Sequence, residues 1–312
     1  MSKKNVLILA LALVIIVSLV FGLGGCAAEP VVEVGTKNFT EQFLLGWLTY
    51  HVLDDAGVPV NANINLGGTE VARSALEGGE IDTYWEYTGT AWMVIFEEEE
   101  EIVDEQEAYE LVASRDLEEN DLIWLEMAPF DNTYTLMMRE EHAAEEGIET
   151  ISELVEWIDE QQAAGETVSL AAEHEFMVRE DGYPALQELY GFEFDDVKDM
   201  ELGLTHVALR DGDVDVAMGF ATDSKVAELD LVNLEDDQDF FPVYNPAPVI
   251  RADIADDIEG VEREEIEELL NQIGPLLDTD TIIELNYQVE VLEEDPEEVA
   301  RQWLLEVGLI SE

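Results

Sequence analysis

The chain has 312 residues, 75 of them acidic and 13 basic, for a formal charge of −62 at pH 7. Such a polyanion repels phosphate backbones and anionic lipid head groups, which excludes nucleic acid and acidic membrane surfaces as partners. Its 47% hydrophobic and 8% aromatic content excludes a disordered acidic tail and calls for a packed core.

The first 25 residues read as an export signal. Lys3 and Lys4 supply a positive start, Val6 to Phe21 is an almost unbroken apolar run, and Leu23-Gly24-Gly25 places small residues ahead of Cys26. The pattern predicts a lipoprotein signal peptide over 1–25 with Cys26 lipidated. The competing reading is an uncleaved membrane helix, and both place the remaining chain outside the cytoplasm. Cys26 is the one cysteine, so no disulfide, thiol nucleophile or cysteine zinc site is expected. Residues 26–312 are too many for one simple core and suit two lobes. Acids occupy every segment and Lys37, Lys198 and Lys225 are the lysines left after cleavage, which suggests adaptation to high salt.

In chain order, Val31–Val34 reads as a strand. Thr40 then caps a helix with apolar positions Phe43, Leu44, Trp47, Leu48 and Val52 at spacings of three and four. Val60–Leu66 alternates as a strand, and Gly67-Gly68-Thr69 turns it into a helix running to Leu76. A strand near Ile81–Glu86 follows, then a solvated run at Glu97–Glu101 and a helix over Glu105–Leu117. Between Leu122 and Met138 the chain crosses into a second unit, with strands at Tyr134–Met138, Thr167–Ala171 and Val214–Met218. Helices are expected at Ile151–Gln162 and Tyr183–Tyr190. Phe240–Tyr244 is the return crossing, followed by helices near Glu262–Ile273, Thr279–Glu290 and Pro296–Val307. Strands alternating with helices predict an α/β fold with mostly parallel sheets. Two crossings predict a discontinuous first lobe (26–130 plus 245–312) and an inserted second lobe (131–244).

Six segments carry a resemblance. Val34–Gln42 (VGTKNFTEQ), Leu66–Thr69 (LGGT), Glu86–Thr90 (EYTGT), Asp131–Tyr134 (DNTY), Phe176–Gly182 (FMVREDG) and Phe241–Tyr244 (FPVY) fall in one order. That order resembles the glycine betaine/carnitine/choline-binding proteins of osmoprotectant ABC transporters over essentially all of residues 31–312. The resemblance implies a two-lobe type II periplasmic-binding-protein fold with the ligand cleft between the lobes. It implies a lipid-anchored, extracytoplasmic protein serving ABC permease and ATPase subunits. The implied ligand is a quaternary-ammonium osmolyte, glycine betaine foremost, with choline, carnitine, proline betaine or ectoine as alternatives.

Carried over residue by residue, the resemblance implies a cage of Tyr87, Tyr134, Phe220 and Tyr244 around the ammonium head. Lys37, Thr90 and Arg179 would hold the carboxylate, with backbone near Asn132 close to the head group. One departure stands out: the family's Tyr-Ser-Thr-Asp segment reads Phe220-Ala221-Thr222-Asp223, which keeps the ring and loses a hydroxyl. The chemistry agrees with this set. A quaternary ammonium has no N–H to donate and spreads its charge over methyl groups, so aromatic faces hold it, each ring adding roughly 0.5–2 kcal/mol. The anionic end needs cationic and hydroxyl donors, and Arg offers a bidentate fork. Trp85 sits beside the cage motif and is placed at the cleft wall, whereas Trp47, Trp92, Trp124, Trp157 and Trp303 read as core. His51, His142, His174 and His206 are isolated, and no HExxH or nucleophile-elbow pattern occurs. No enzymatic activity and no cofactor are expected.

Overall fold

The computed structural model describes residues 30–98, 102–179 and 182–311. The signal segment with Cys26 and part of the Glu97–Glu101 run lie outside the described residues. Five strands form a first sheet: β1 (Val32–Lys37), β2 (Val60–Gly67), β3 (Thr83–Tyr87), β4 (Leu122–Trp124) and, from far along the chain, β10 (Pro246–Arg251). Their order is β2-β1-β3-β10-β4. A second sheet takes β5 (Tyr134–Arg139), β6 (Ser169–Ala172), β7 (Asp196–Asp199), β8 (Val216–Phe220) and β9 (Leu231–Asn233) in the order β7-β6-β8-β5-β9.

Each sheet has one reversed strand. β10 runs antiparallel to β3 and β4, and β5 runs antiparallel to β8 and β9. The other pairs are parallel. The reversed strands are the two that follow directly on the crossings between the sheets, at 125–133 and 234–245. Parallel neighbours need long, usually helical connections, and those are what the rest of each sheet has.

The helix Thr40–Asp55 lays Leu44, Leu45, Leu48 and Leu53, all fully buried, against one face of the first sheet. Thr279–Glu290 and Pro296–Val307 pack onto it in turn. Thr40 is the first helical residue of this segment and not its cap. The cap position belongs to Phe39, in extended geometry with no capping hydrogen bond from a side chain. Elsewhere the acidic composition supplies the caps: Asp104, Asp278 and Asp295 accept from the N–H groups of Glu107, Thr281 and Glu297, and Thr150 with Glu153 closes a capping box.

Trp85 corrects another expectation. It is buried in the first sheet's core, where its indole N–H donates to Thr49 Oγ1 at 2.9 Å, and it does not reach the cleft. Successive residues of a strand face opposite sides, so Trp85 and Glu86 part company by one position. The strands β4, β7, β9 and β10 and the helix Leu202–Arg210 were not anticipated from the sequence.

One buried ion pair fastens the first sheet's flank. Arg73, on the helix Thr69–Gly78, donates to both carboxylate oxygens of Asp116, at 2.8 and 2.5 Å. Asp116 also accepts from the Trp124 indole N–H at 2.8 Å and from Asn120 at 2.9 Å. The Asp116 side chain is fully buried. No helix among the described residues is long and apolar enough to cross a membrane.

Candidate functional site

At the end of β3 the chain turns through Thr88–Thr90 and widens into a π turn over Ala91–Ile95. Local bonds tie this turn to the return crossing. Thr88 Oγ1 donates to the Val243 carbonyl at 2.9 Å, and the Thr88 N–H donates to the Asn245 carbonyl at 3.1 Å. Gly89 is required by close approach: a Cβ there would lie 2.8 Å from both Tyr244 ring carbons Cδ1 and Cε1 and from the Val243 carbonyl. The ring of Tyr244 therefore rests on bare backbone.

Tyr244 is held from the other side as well. Its N–H donates to Asp131 Oδ1 at 2.8 Å, and its carbonyl accepts from the Asn132 N–H at 3.2 Å. The two crossings are thus bonded to each other beside the ring. Burial pushes the Asp131 carboxyl up to about 6. β5 starts at Tyr134 and β8 ends at Phe220, and these residues are paired in register, so both rings stand at one end of the second sheet.

The rings form a continuous belt from one sheet to the other. Tyr134 lies 5.1 Å from Phe220 and 5.6 Å, edge-on, from Tyr244 between centroids. Phe39 stacks on Phe220 at 5.9 Å and lies 6.2 Å from Tyr87. These spacings fall within the range of favourable aromatic pairs. The belt surrounds a cavity in which about 40 Å³ is open to the centre of a water-sized sphere. One water needs roughly 10–15 Å³ by that measure, so the space suits about three or four such groups.

The cavity wall contains Lys37, Tyr87, Thr90, Asn132, Tyr134, Arg179, Phe220 and Tyr244, all eight residues singled out in the sequence. Lys37 Nζ is ion-paired with Glu86 at 2.5 Å, bonded to Thr69 Oγ1 at 3.1 Å, and lies 5.2 Å from the Tyr87 ring centre. Arg179 Nη2 donates to Thr90 Oγ1 at 3.3 Å, and Nη1 lies 3.7 Å from Glu175 Oε1. The guanidinium carbon sits 5.4 Å from the Tyr134 ring centre and 6.0 Å from that of Tyr244. Both cations thus lie within cation–π range of these rings.

The sequence reading missed Phe39, Thr69, Glu173 and Glu175, which line the same cavity. Phe39 and Thr69 lie inside quoted motifs, so the signal was present but unassigned. Glu173 and Glu175 flank the start of the short helix His174–Val178, where no periodicity marked them. Burial, then the neighbouring Glu175, raises the Glu173 carboxyl to about 7. A larger open groove of about 1070 Å³ adjoins the cavity and shares Asn38, Thr69, Glu173, Glu175 and Arg179 with it. The aromatic cavity is the better candidate site, because the groove has no ring cluster to recognise a ligand.

Comparison with known proteins gives a family match over residues 30–306 to the substrate-binding domain of ABC-type glycine betaine transport systems. A glycine-betaine-binding protein of Pseudomonas aeruginosa is 35% identical, the alignment covering 92% of this chain and 91% of that protein. The glycine betaine-binding protein YehZ of Escherichia coli is 36% identical over 90% of this chain and 92% of its own. An apo structure of YehZ superimposes with a TM-score of 0.66 over 90% of this chain and 100% of that one. An ergothioneine transport permease/binding protein of Helicobacter pylori is 32% identical over 90% of this chain, which covers 48% of that longer protein.

Proposed function

Because the chain belongs to the family of substrate-binding domains of ABC-type glycine betaine transport systems, we propose that its own ligand is glycine betaine, held between two lobes at the aromatic cavity. It is a substrate-binding protein of an ABC importer for glycine betaine-type osmolytes, with a type II periplasmic-binding-protein fold, and not an enzyme. The observation that supports the ligand is the belt of rings standing next to Arg179, Lys37 and Thr90. Rings take the methylated head, and the cations with the hydroxyl take the carboxylate. In this reading the lobes are 26–130 with 245–312, and 131–244, a division supported by the two sheets and the crossings bonded at Asn132 and Tyr244. ABC permease and ATPase subunits are the partners.

Calorimetry on residues 26–312 in molar salt, with glycine betaine, choline, carnitine, proline betaine and ectoine, tests the ligand. Glycine betaine is expected to bind most tightly. Stronger binding of another solute, or of none, overturns the reading. The same preparation tests adaptation to salt. The screening length grows from roughly 3 Å at 1 M to about 30 Å at 0.01 M, so repulsion among surface carboxylates should then sum over whole lobes. The melting temperature should fall on desalting, and an unchanged value removes the high-salt proposal.

The membrane anchor is proposed at Cys26, supported by the small residues before it and the apolar run of 6–21. Mass spectrometry of the N-terminal peptide from membranes should show a diacylated cysteine. An unmodified Cys26 still joined to residues 1–25 would favour the uncleaved helix instead.

A further inference from the structure

We propose that Glu41 is the positioning residue that joins the cage to lobe closure, a role that rests on the ligand reading above. Its carboxyl is met by four side chains from separate parts of the chain. Oε1 accepts from the Tyr87 hydroxyl at 2.8 Å and from Asn132 Nδ2 at 2.9 Å. Oε2 accepts from Thr222 Oγ1 at 2.8 Å and, more weakly, from Asn286 Nδ2 at 3.4 Å. Tyr87 is a cage ring at the end of the first sheet, Asn132 lies on the outgoing crossing, and Thr222 follows the last strand residue of β8 in the second sheet. Glu41, Asn132 and Thr222 are each at most 5% exposed. One buried carboxyl thus fixes the tilt of a ligand ring and ties the two sheets together.

The same geometry accommodates a proton. Thr222 Oγ1 lies 2.8 Å from Glu41 Oε2 and also 2.8 Å from Asn132 Oδ1, with one hydrogen to give. When Glu41 is ionised, that hydrogen goes to the carboxylate. When Glu41 is neutral, its own O–H donates to Thr222 Oγ1, and Thr222 turns its hydrogen to Asn132. The neutral arrangement satisfies every group of the triangle, whereas the ionised one withholds Thr222's hydrogen from Asn132 Oδ1.

Burial raises this carboxyl from 4.5 to about 7, opposed by the bonds from Thr222, Tyr87 and Asn286 and helped by Asp223. Opening the cleft exposes Glu41 and returns it toward 4.5. Closing then takes up a proton between pH 4.5 and 7, so the closed form gains as pH falls through 7 and loses the gain above it. The ionisable groups facing the same part of the cleft are Asp223 with its partner His206, Lys225, Glu173, Glu201 and Glu290. They give a background pH dependence that Glu41 variants leave in place.

The test compares wild type, Glu41→Gln and Glu41→Ala, each first shown by circular dichroism to be folded. Affinity for glycine betaine and choline, neither of which titrates in this range, is read at pH 6 and pH 8. Wild type should bind about tenfold more tightly at pH 6, as a site at about 7 requires. Gln imitates the neutral acid, so Glu41→Gln should lose that tenfold difference and bind at pH 8 nearly as wild type does at pH 6. Glu41→Ala should bind weakly at both. A pH difference in Glu41→Gln equal to that of wild type, or wild-type affinity in Glu41→Ala, overturns the role.

Scattering without ligand gives a second readout that does not depend on which solute binds. The radius of gyration should be smaller at pH 6 than at pH 8 in wild type, and in Glu41→Gln the difference should shrink to the background of the other cleft groups. If neither solute binds wild type but the scattering difference appears, the ligand reading fails and Glu41 keeps its role in closure. Equal radii in wild type at the two pH values overturn it.

Discussion

Asp116→Ala is expected to lower folding stability by roughly 3–5 kcal/mol, the cost of removing one partner from a buried ion pair. The loss would be that large because Arg73 cannot shed its charge. Its side chain is 6% exposed, and beyond Asp116 it has Glu77 at the solvent edge, 2.6 Å away. Trp124 would lose its acceptor at the same time. Urea unfolding followed by tryptophan fluorescence reads this directly as a lower midpoint. Asp116→Asn should be milder, because the amide oxygen still accepts from one donor. A loss below about 1 kcal/mol for the alanine variant would mean that Arg73 finds water or another acid, and that the pair is not a fastening of the flank.

Arg179→Ala should separate the two ends of the ligand. For glycine betaine the expected loss is roughly 1.5–3 kcal/mol, the range for a charge-assisted hydrogen bond. Choline presents the same trimethylammonium head but no carboxylate, so its affinity should hold or improve. Improvement has a structural reason: the guanidinium lies over the faces of Tyr134 and Tyr244, and removing it frees cation-accepting surface. The deciding quantity is the betaine-to-choline ratio of Kd values, measured by calorimetry at constant salt. A ratio that does not move removes Arg179 as the carboxylate anchor, whatever the rings bind. Arg179→Lys should restore part of the betaine affinity without the bidentate fork.

The ring cluster was legible before the fold because most of its members sit in motifs that fall in one order, and the structure gathers Tyr87, Tyr134, Phe220 and Tyr244 around one cavity. What escaped notice escaped for identifiable reasons. Pro246 and Pro248 argue against a strand, yet β10 lies between β3 and β4. Pro248 keeps its place by offering its carbonyl to the Leu125 N–H at 2.9 Å. β7 reads Asp-Val-Lys-Asp and is largely solvated, so no apolar alternation marked it. Phe39 looked like the residue before a capped helix, and its second role as a cleft ring depends on a stacking partner 181 positions away. Glu41 lies inside the quoted VGTKNFTEQ segment but carried no assigned role; what marks it is its burial among Tyr87, Asn132 and Thr222, a property of the folded chain.

The position of β10 also sets an order of events during synthesis and export. β4 finds its hydrogen-bonding neighbour only in residues 249–251, more than 120 positions downstream. The second sheet is complete by residue 233. As the chain emerges, the second sheet has every strand it needs while the first sheet still lacks a central one. The earlier half by sequence therefore finishes last. Until Pro246–Arg251 arrives, the inner edge of β3 stays open, an unpaired template of the kind that other chains can extend. A truncation just short of residue 246 would leave a complete second sheet joined to a first sheet with that edge exposed, and such a fragment should associate with copies of itself.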